Sequence, residues 1–201
     1  MGIQLTGIPK LHWNYFVALE RDLETVSRYV EFTPDNYEIY SIELAHLLFA
    51  AASEVDVVAK LLCKQLDPQQ DPSTINGYKP IMTNGIPTLA GENVFIPRYG
   101  LTLTPWDQWS KNDGQQPHPY WWSGYNKVKH ERDANFKLAT LQNALNAMSG
   151  LMLVAFHYYR YALAQPPGAA LAPKDTTDLL TPTSTLLRLD DSSYRGHLML
   201  E

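Results

Sequence analysis

The chain has 201 residues, of which 45% are hydrophobic, and its formal net charge is -5, values that are ordinary for a globular protein. This acidic balance excludes nucleic-acid binding driven by global charge, although it leaves room for a local basic site. The length favours one domain with one sizeable core.

Cysteine usage and the absence of targeting patterns both favour the cytoplasm as the compartment of this protein. The single cysteine, Cys63, excludes an internal disulfide, and its apolar helical surroundings predict a small buried hydrophobe. The first ten residues lack the basic start and long apolar run of a signal peptide, and no stretch is apolar for long enough to span a bilayer. We therefore expect a cytoplasmic protein with no membrane partner.

Helical periodicity dominates the first third of the chain. Apolar spacing predicts a helix over residues 15–30 and, after a turn signal at residues 33–36, a longer helix over residues 40–66. Prolines at positions 68 and 72 end the second helix. Its apolar stripe consists of Leu44, Leu47, Leu48, Ala51, Val55, Val58 and Leu62.

The middle of the chain, residues 73–117, is dense in Pro and Gly and loses the helical period. Two short strands are expected there, over residues 93–96 and 99–104. Trp106 and Trp109 are expected to cover the helices. Because long irregular segments of compact domains are often interaction surfaces, this insertion is also the expected site for a partner protein.

A third helix is predicted to start near Pro119, and a fourth to cover residues 133–164. The fourth helix is apolar on two sides, which is typical of a central helix or of a dimer seam. The predicted fold is mainly α: an up-and-down bundle of four to five helices with a small β-containing insertion, in residues 1–165, forming a homodimer. Residues 166–201 are predicted to be a linker and C-terminal extension. Its strand-like pieces, residues 184–189 and 197–200, could pair with each other, with the middle strands or with a partner chain.

The most distinctive segment is residues 120–132, which combines aromatic rings, an amide, a histidine and three cations. In a helix, Asn126 and His130 lie one turn apart on the same face. Such a set could bind a phosphodiester, with His130 as general acid or base. The alternative is a hydrogen-bonded plug packed against neighbouring helices. The cations of the segment are Lys127, Lys129 and Arg132.

The run Tyr125-Asn126-Lys127-Val128-Lys129-His130 resembles the signature of the HEPN superfamily, in which an Arg, commonly followed by Asn, precedes a His by a few residues. The resemblance implies a dimeric helical bundle that cleaves RNA without a metal, or an RNA- or nucleotide-binding relative, in a defence or toxin–antitoxin setting. By position, His130 would transfer the proton and Asn126 would orient it or the phosphate. Tyr125 stands in place of the Arg, so Lys129 or Arg132 would supply the missing charge.

Two carboxylates on the second helix, Glu43 and Glu54, are expected to support this site. They are three turns apart on one edge of the apolar stripe. One of them could fix the tautomer of His130. The cations expected to pair with them are Lys129, Arg132 and Arg160.

No cofactor or metal is predicted. The six histidines are dispersed without ligand spacing, and no phosphate-binding or nucleophile motif occurs. His157 is expected on the surface beside Arg160. The competing functional class is a non-enzymatic interaction or scaffold module, with the insertion as the partner surface. In that interpretation the core contains Trp121, Trp122, Tyr125, Asn126 and His130.

Overall fold

The computed structural model describes residues 9–111, 118–166 and 168–196, which form a mainly helical fold with a small antiparallel sheet. The predicted fold class is therefore confirmed. The strands are β1 (Val94–Ile96) and β2 (Leu101–Leu103). The α-helices are α1 (Leu11–Val26), α2 (Ile42–Leu66), α3 (Ile75–Gly85), α4 (Tyr120–His130), α5 (Arg132–Asn135), α6 (Leu141–Ala162) and α7 (Pro173–Leu179).

The two longest helices, α2 and α6, form the central pair of the fold. The predicted stripe of α2 is buried along its whole length, and so is α6 on both of its apolar sides. Helices α1 and α4 pack against this pair from outside. The N-termini of the central helices are capped by side chains, because Ser41 Oγ accepts the Leu44 N–H and Thr140 Oγ1 accepts the Asn143 N–H.

Helix α6 begins later than periodicity predicts, because the preceding backbone bonds to the α1–α2 connection. Tyr40 forms a bridge with Thr140. The Leu141 and Gln142 N–H groups donate to the carbonyls of Ile39 and Tyr37, at 2.8 and 3.1 Å. A helix running on from residue 133 could not make these bonds. Residues 132–138 instead form α5 and a 3₁₀ turn.

Helix α1 is shifted toward the N-terminus relative to the predicted 15–30. After Val26 the chain tightens into turns, in which Arg28 and Tyr29 donate their N–H groups to the carbonyls of Thr25 and Val26. The sequence pattern does not predict helices α3 and α7. The first contains Pro80, and the second opens on Pro173.

The two short strands of the insertion are confirmed. They pair antiparallel, with Val94 opposite Leu103 and Ile96 opposite Leu101. Phe95 also exchanges two backbone hydrogen bonds with Arg188, at 2.7 and 2.8 Å. Of the pairings open to residues 184–189, this segment therefore uses the middle strands. Residues 197–200, the other expected strand piece, lie outside the described residues.

The C-terminal segment packs closely against the bundle. Its leucines at positions 180, 186, 187 and 189 are buried in the same core as α1, α2 and α6. Glu20 of α1, only 2% exposed, accepts the N–H groups of Thr185, Leu186 and Leu187 at 2.9–3.1 Å, and a hydroxyl hydrogen bond from Ser184. The segment predicted as an extension thus shares the core of the helices.

Across the described ranges, no helix combines the length and the apolar character that a bilayer crossing requires.

Candidate nucleic-acid interface

The segment 120–132 is helical from Tyr120 to His130, so Asn126 and His130 lie one turn apart on the same helix. The helix separates the segment into two sides. Trp121, Trp122 and Tyr125 are buried, whereas His130 is exposed and Asn126 is half-buried. The aromatic residues therefore belong to the core, as the scaffold interpretation expects, but His130 does not.

The buried side belongs to a continuous row of aromatic rings. Trp109 contacts Trp106 at 4.4 Å between centroids, and Trp106 contacts Trp121 at 5.4 Å. The row continues along α4 through Trp122 at 5.7 Å and Tyr125 at a further 5.5 Å, and ends at Phe49 of α2 at 5.9 Å. The expectation that Trp106 and Trp109 cover the helices is confirmed by their burial. This aromatic row fixes the position of α4 over the central pair.

Gly150 of α6 makes the close approach of this row possible. A Cβ atom at that position would lie 3.0 Å from Trp121 and 3.5 Å from Trp106. The absence of a side chain lets both rings contact the backbone of the central helix. The Trp121 indole N–H also donates to the carbonyl of Pro105 at 2.8 Å, which satisfies its buried polar atom.

The outer end of the aromatic row is covered by two cations. The Lys129 ammonium lies 5.3 Å from the centroid of Tyr125, and the Arg132 guanidinium lies 5.1 Å from the centroid of Phe49. Both distances are those of cation–π contacts. Together with exposed Lys127 and His130, these residues form what we call the α4 surface: Phe49, Tyr125, Asn126, Lys127, Lys129, His130 and Arg132.

The cations of the α4 surface form no ion pair with a described residue. Among the described residues, no carboxylate lies within 4.0 Å of the charged groups of Lys127, Lys129 or Arg132. Glu131 and Asp133 are their neighbours in sequence, yet neither forms an ion pair with them in the described ranges. Part of the cationic excess stabilises α4 itself, because cations in a last helical turn complement the negative end of the helix dipole.

The predicted supporting carboxylates do not join this surface. Glu43 is 72% exposed and lies 3.8 Å from His46 of its own helix, while Glu54 Oε1 lies 2.6 Å from His12 Nδ1 of α1. The expected pairing with Lys129, Arg132 or Arg160 is thus corrected. The two α4-surface cations lie over aromatic rings instead, and the Arg160 Nε–H donates to the Leu171 carbonyl.

His12 and Glu54 form a half-buried pair that the sequence did not reveal. The His12 backbone N–H donates to the Tyr159 hydroxyl at 3.2 Å, and the imidazole ring meets Tyr158 edge-on at 5.6 Å. Burial raises the pKa of the Tyr159 hydroxyl, and hydrogen bonds from the α1 backbone offset part of that rise. The pair joins α1, α2 and α6 at a single point.

His157 is buried, contrary to the expectation of a surface position. It is 1% exposed, and its Nε2 lies 2.7 Å from Glu92 Oε2 of the insertion. Burial raises the pKa of Glu92, but hydrogen bonds from His157 and Thr88 and the charges of His157 and Arg160 outweigh it, so the pKa lies below its usual 4.5. The sequence does carry a signal for this burial, because position 157 lies one turn after Val154 on the second apolar face of α6.

Within the described ranges, no group of three or more His, Cys, Asp or Glu side chains is arranged to hold a metal ion. Comparisons with protein families, with curated proteins and with solved structures give no match for this chain. The resemblance to the HEPN superfamily therefore stays a prediction that rests on the segment 125–130 alone.

Proposed function

We propose that this chain binds single-stranded RNA through the α4 surface. The observation that carries the proposal is the pair of cation–π contacts at its centre, Lys129 over Tyr125 and Arg132 over Phe49. They place two cations above aromatic rings, and no described carboxylate forms an ion pair with either cation.

A single strand suits this surface better than a duplex. Proteins that bind single strands combine cations for the backbone with flat groups on which bases stack, and an Arg guanidinium plane serves as such a group. Arg132 is exposed, and its guanidinium lies 5.1 Å from the centroid of the Phe49 ring.

Binding is better supported than cleavage. A general acid or base needs a partner that orients its ring. The His130 imidazole makes no hydrogen bond or ion pair with any residue that the structure describes, since the carboxylates expected to orient it bond elsewhere. Cleavage by His130 would therefore need a second protomer or the RNA itself to position the imidazole, as the HEPN resemblance implies.

The proposal is tested by fluorescence anisotropy with a labelled single-stranded RNA. The variant Lys127→Ala/Lys129→Ala/Arg132→Ala should bind at least about tenfold more weakly at low salt, because each of these cations would neutralise one phosphate. The matched control is Arg21→Ala/Arg28→Ala/Lys174→Ala, which removes three exposed cations that lie on α1, just after α1 and on α7. The control should bind like the wild type.

Equal weakening in the two triple variants would contradict the proposal, because it would show binding by diffuse charge. No RNA binding by the wild type would favour the interaction or scaffold module instead. Incubation of the same RNA with wild type and His130→Ala tests cleavage separately. Cleavage that disappears in His130→Ala would add a nuclease activity, and its absence leaves the binding proposal standing.

A further inference from the structure

A polar cleft of about 440 Å³ lies at the opposite end of α4 from the cations. It lies between the start of α4, the start of α6 and the residues that follow β2. Its volume falls within the range of about 300–1,000 Å³ that is usual for small-molecule sites. The side chains that matter for its chemistry are Tyr37, Gln108, Tyr120, Gln142 and Asn146.

Several polar groups of the cleft are available to a ligand. In the described part of the chain, no residue bonds the Gln142 side-chain amide or the Tyr37 hydroxyl. Asn146 donates one amide hydrogen to the Gln142 carbonyl at 2.9 Å, and no described residue donates a hydrogen bond to its Oδ1. Burial raises the pKa of Tyr37, so its hydroxyl is a neutral donor. These groups are neutral donors and acceptors. The wall of the cleft also contains Asp107 and Lys111, whose charged groups lie 2.6 Å apart.

An aromatic ring stands at the mouth of the cleft. Tyr120 is 58% exposed although it is the first residue of α4. Its backbone N–H donates to Gln108 Oε1 at 3.1 Å, and Gln108 is itself bonded to Asp107, so the start of the helix that carries the ring is fixed. An exposed ring on a fixed backbone, beside amide groups, is what recognition of an unstacked base requires.

The cleft and the α4 surface are joined by one face of α4. Tyr120, Ser123, Lys127 and His130 are spaced by three, four and three residues, which places them on one face. Ten residues of helix cover about 15 Å, a distance that a few nucleotides span. A strand whose phosphates contact Lys127 can therefore reach the ring of Tyr120.

We propose that this cleft takes one nucleobase of the bound RNA strand, with Tyr120 stacking on the base and Gln142 and Asn146 hydrogen-bonding to its edge. This inference rests on the proposed function. It adds a site with base preference to a surface that otherwise reads only phosphates. Amides of Asn and Gln pair with base edges through one donor and one acceptor, which gives such a site its selectivity.

The test compares the cleft variant Tyr120→Ala/Gln142→Leu with a matched control, Tyr29→Ala/Gln69→Leu, whose residues are exposed elsewhere. Affinities are measured for single-stranded RNAs that differ in one base. The wild type and the control should discriminate among the bases. The cleft variant should lose that discrimination and bind about tenfold more weakly, the usual effect of removing one stacked base. Its salt dependence should be unchanged, because every cation is kept.

A second measurement uses free nucleosides and glucose as probes and follows the tryptophan fluorescence of the protein, to which Trp121 in the wall of the cleft contributes. Nucleosides should quench it in the wild type, with weaker binding in the cleft variant, and glucose should not compete. If RNA binds but the cleft variant matches its control, the inference fails and the proposed function stands. Equal binding of glucose and nucleosides would overturn the assignment to nucleobases. No RNA binding by the wild type would overturn both.

Discussion

Glu20 is a carboxylate in an unusual place, since it lies in the core at 2% exposure and has no cation beside it in the described ranges. Its carboxyl oxygens accept hydrogen bonds from three backbone N–H groups and one hydroxyl of residues 184–187. Buried carboxylates are tolerated when their lone pairs are satisfied in this way. Glu20 is therefore the polar anchor of residues 184–187, beside the buried leucines and the Phe95–Arg188 backbone bonds that also hold the C-terminal segment.

Glu20→Ala should lower the free energy of unfolding by at least about 3 kcal/mol, because each buried N–H left without an acceptor costs about 1–3 kcal/mol. Urea denaturation followed by circular dichroism measures this change. Glu24→Ala is the matched control on the same helix. Its exposed ion pair with Arg98, at 3.5 Å, should contribute less than about 1 kcal/mol. Similar destabilisation in the two variants would contradict the assigned role of Glu20.

The Glu92–His157 pair makes stability depend on pH. Because the pKa of Glu92 is lowered in the folded state, its stabilising effect is present above the unfolded value of about 4.5 and is lost as the pH falls through the lower, folded value. Glu92→Gln removes this titration. Near pH 6 the free energy of unfolding of the wild type should be higher than that of Glu92→Gln by about 1.5–3 kcal/mol, the usual contribution of a hydrogen bond to a charged group.

That difference should shrink as the pH is lowered from about 6 to about 3, which thermal denaturation of the two proteins at each pH would show. A difference that stays constant across this range would mean that the contact with His157 does not lower the pKa of Glu92.

At the scale of single residues, the helix face on which a side chain lies is predictable from the sequence where the helix itself is predictable. Asn126 and His130 share a helix because the segment has a strong helical pattern. The burial of Glu20 is not predictable in this way, because a sequence does not show what packs against a polar side chain from a distant segment. For His157 the pattern of α6 indicates burial but does not indicate the partner. Glu20 meets residues 164 or more positions away, and His157 meets Glu92 from the insertion.

Among the elements, α6 has the most central position. Both of its apolar sides are covered by other parts of the fold. Leu145→Ala should therefore cost about 2–5 kcal/mol, the range for deleting a fully buried leucine side chain. Chemical denaturation tests this, with Val57→Ala, at a position 45% exposed on α2, as the control. If Leu145→Ala changes the free energy of unfolding by less than about half a kcal/mol, the central position of α6 is contradicted.

The boundaries of elements show where sequence patterns stop being informative. The stripes of α2 and α6 were predictable because burial on a helix leaves a 3.6-residue period. Periodicity did not reveal the start of α6, which is set by backbone bonds between residues 37–40 and 140–142. The local signal for this start is the N-cap residue Thr140. Helix α3 was hidden by Pro80 and two glycines, which lower helix propensity but are overridden here by the burial of Ile75, Tyr78 and Met82.

On the scale of the whole molecule, charge is unevenly distributed. The net charge of -5 repels a polyanion at long range, whereas the α4 surface concentrates unpaired cations of the described chain at one helix end. RNA bound there should be held by a few local contacts instead of by a general field. The strength of binding should therefore depend on salt through a small number of phosphates.

The salt dependence of RNA affinity tests most directly whether RNA lies on the α4 surface. For single strands, the slope of log K against log salt changes by about 0.7 for each phosphate contact. Replacing Lys127, Lys129 and Arg132 by Ala should therefore reduce the slope by about 2, while replacing Arg21, Arg28 and Lys174 should leave it as in the wild type. A slope that is the same in both variants would contradict the claim that RNA lies on the α4 surface.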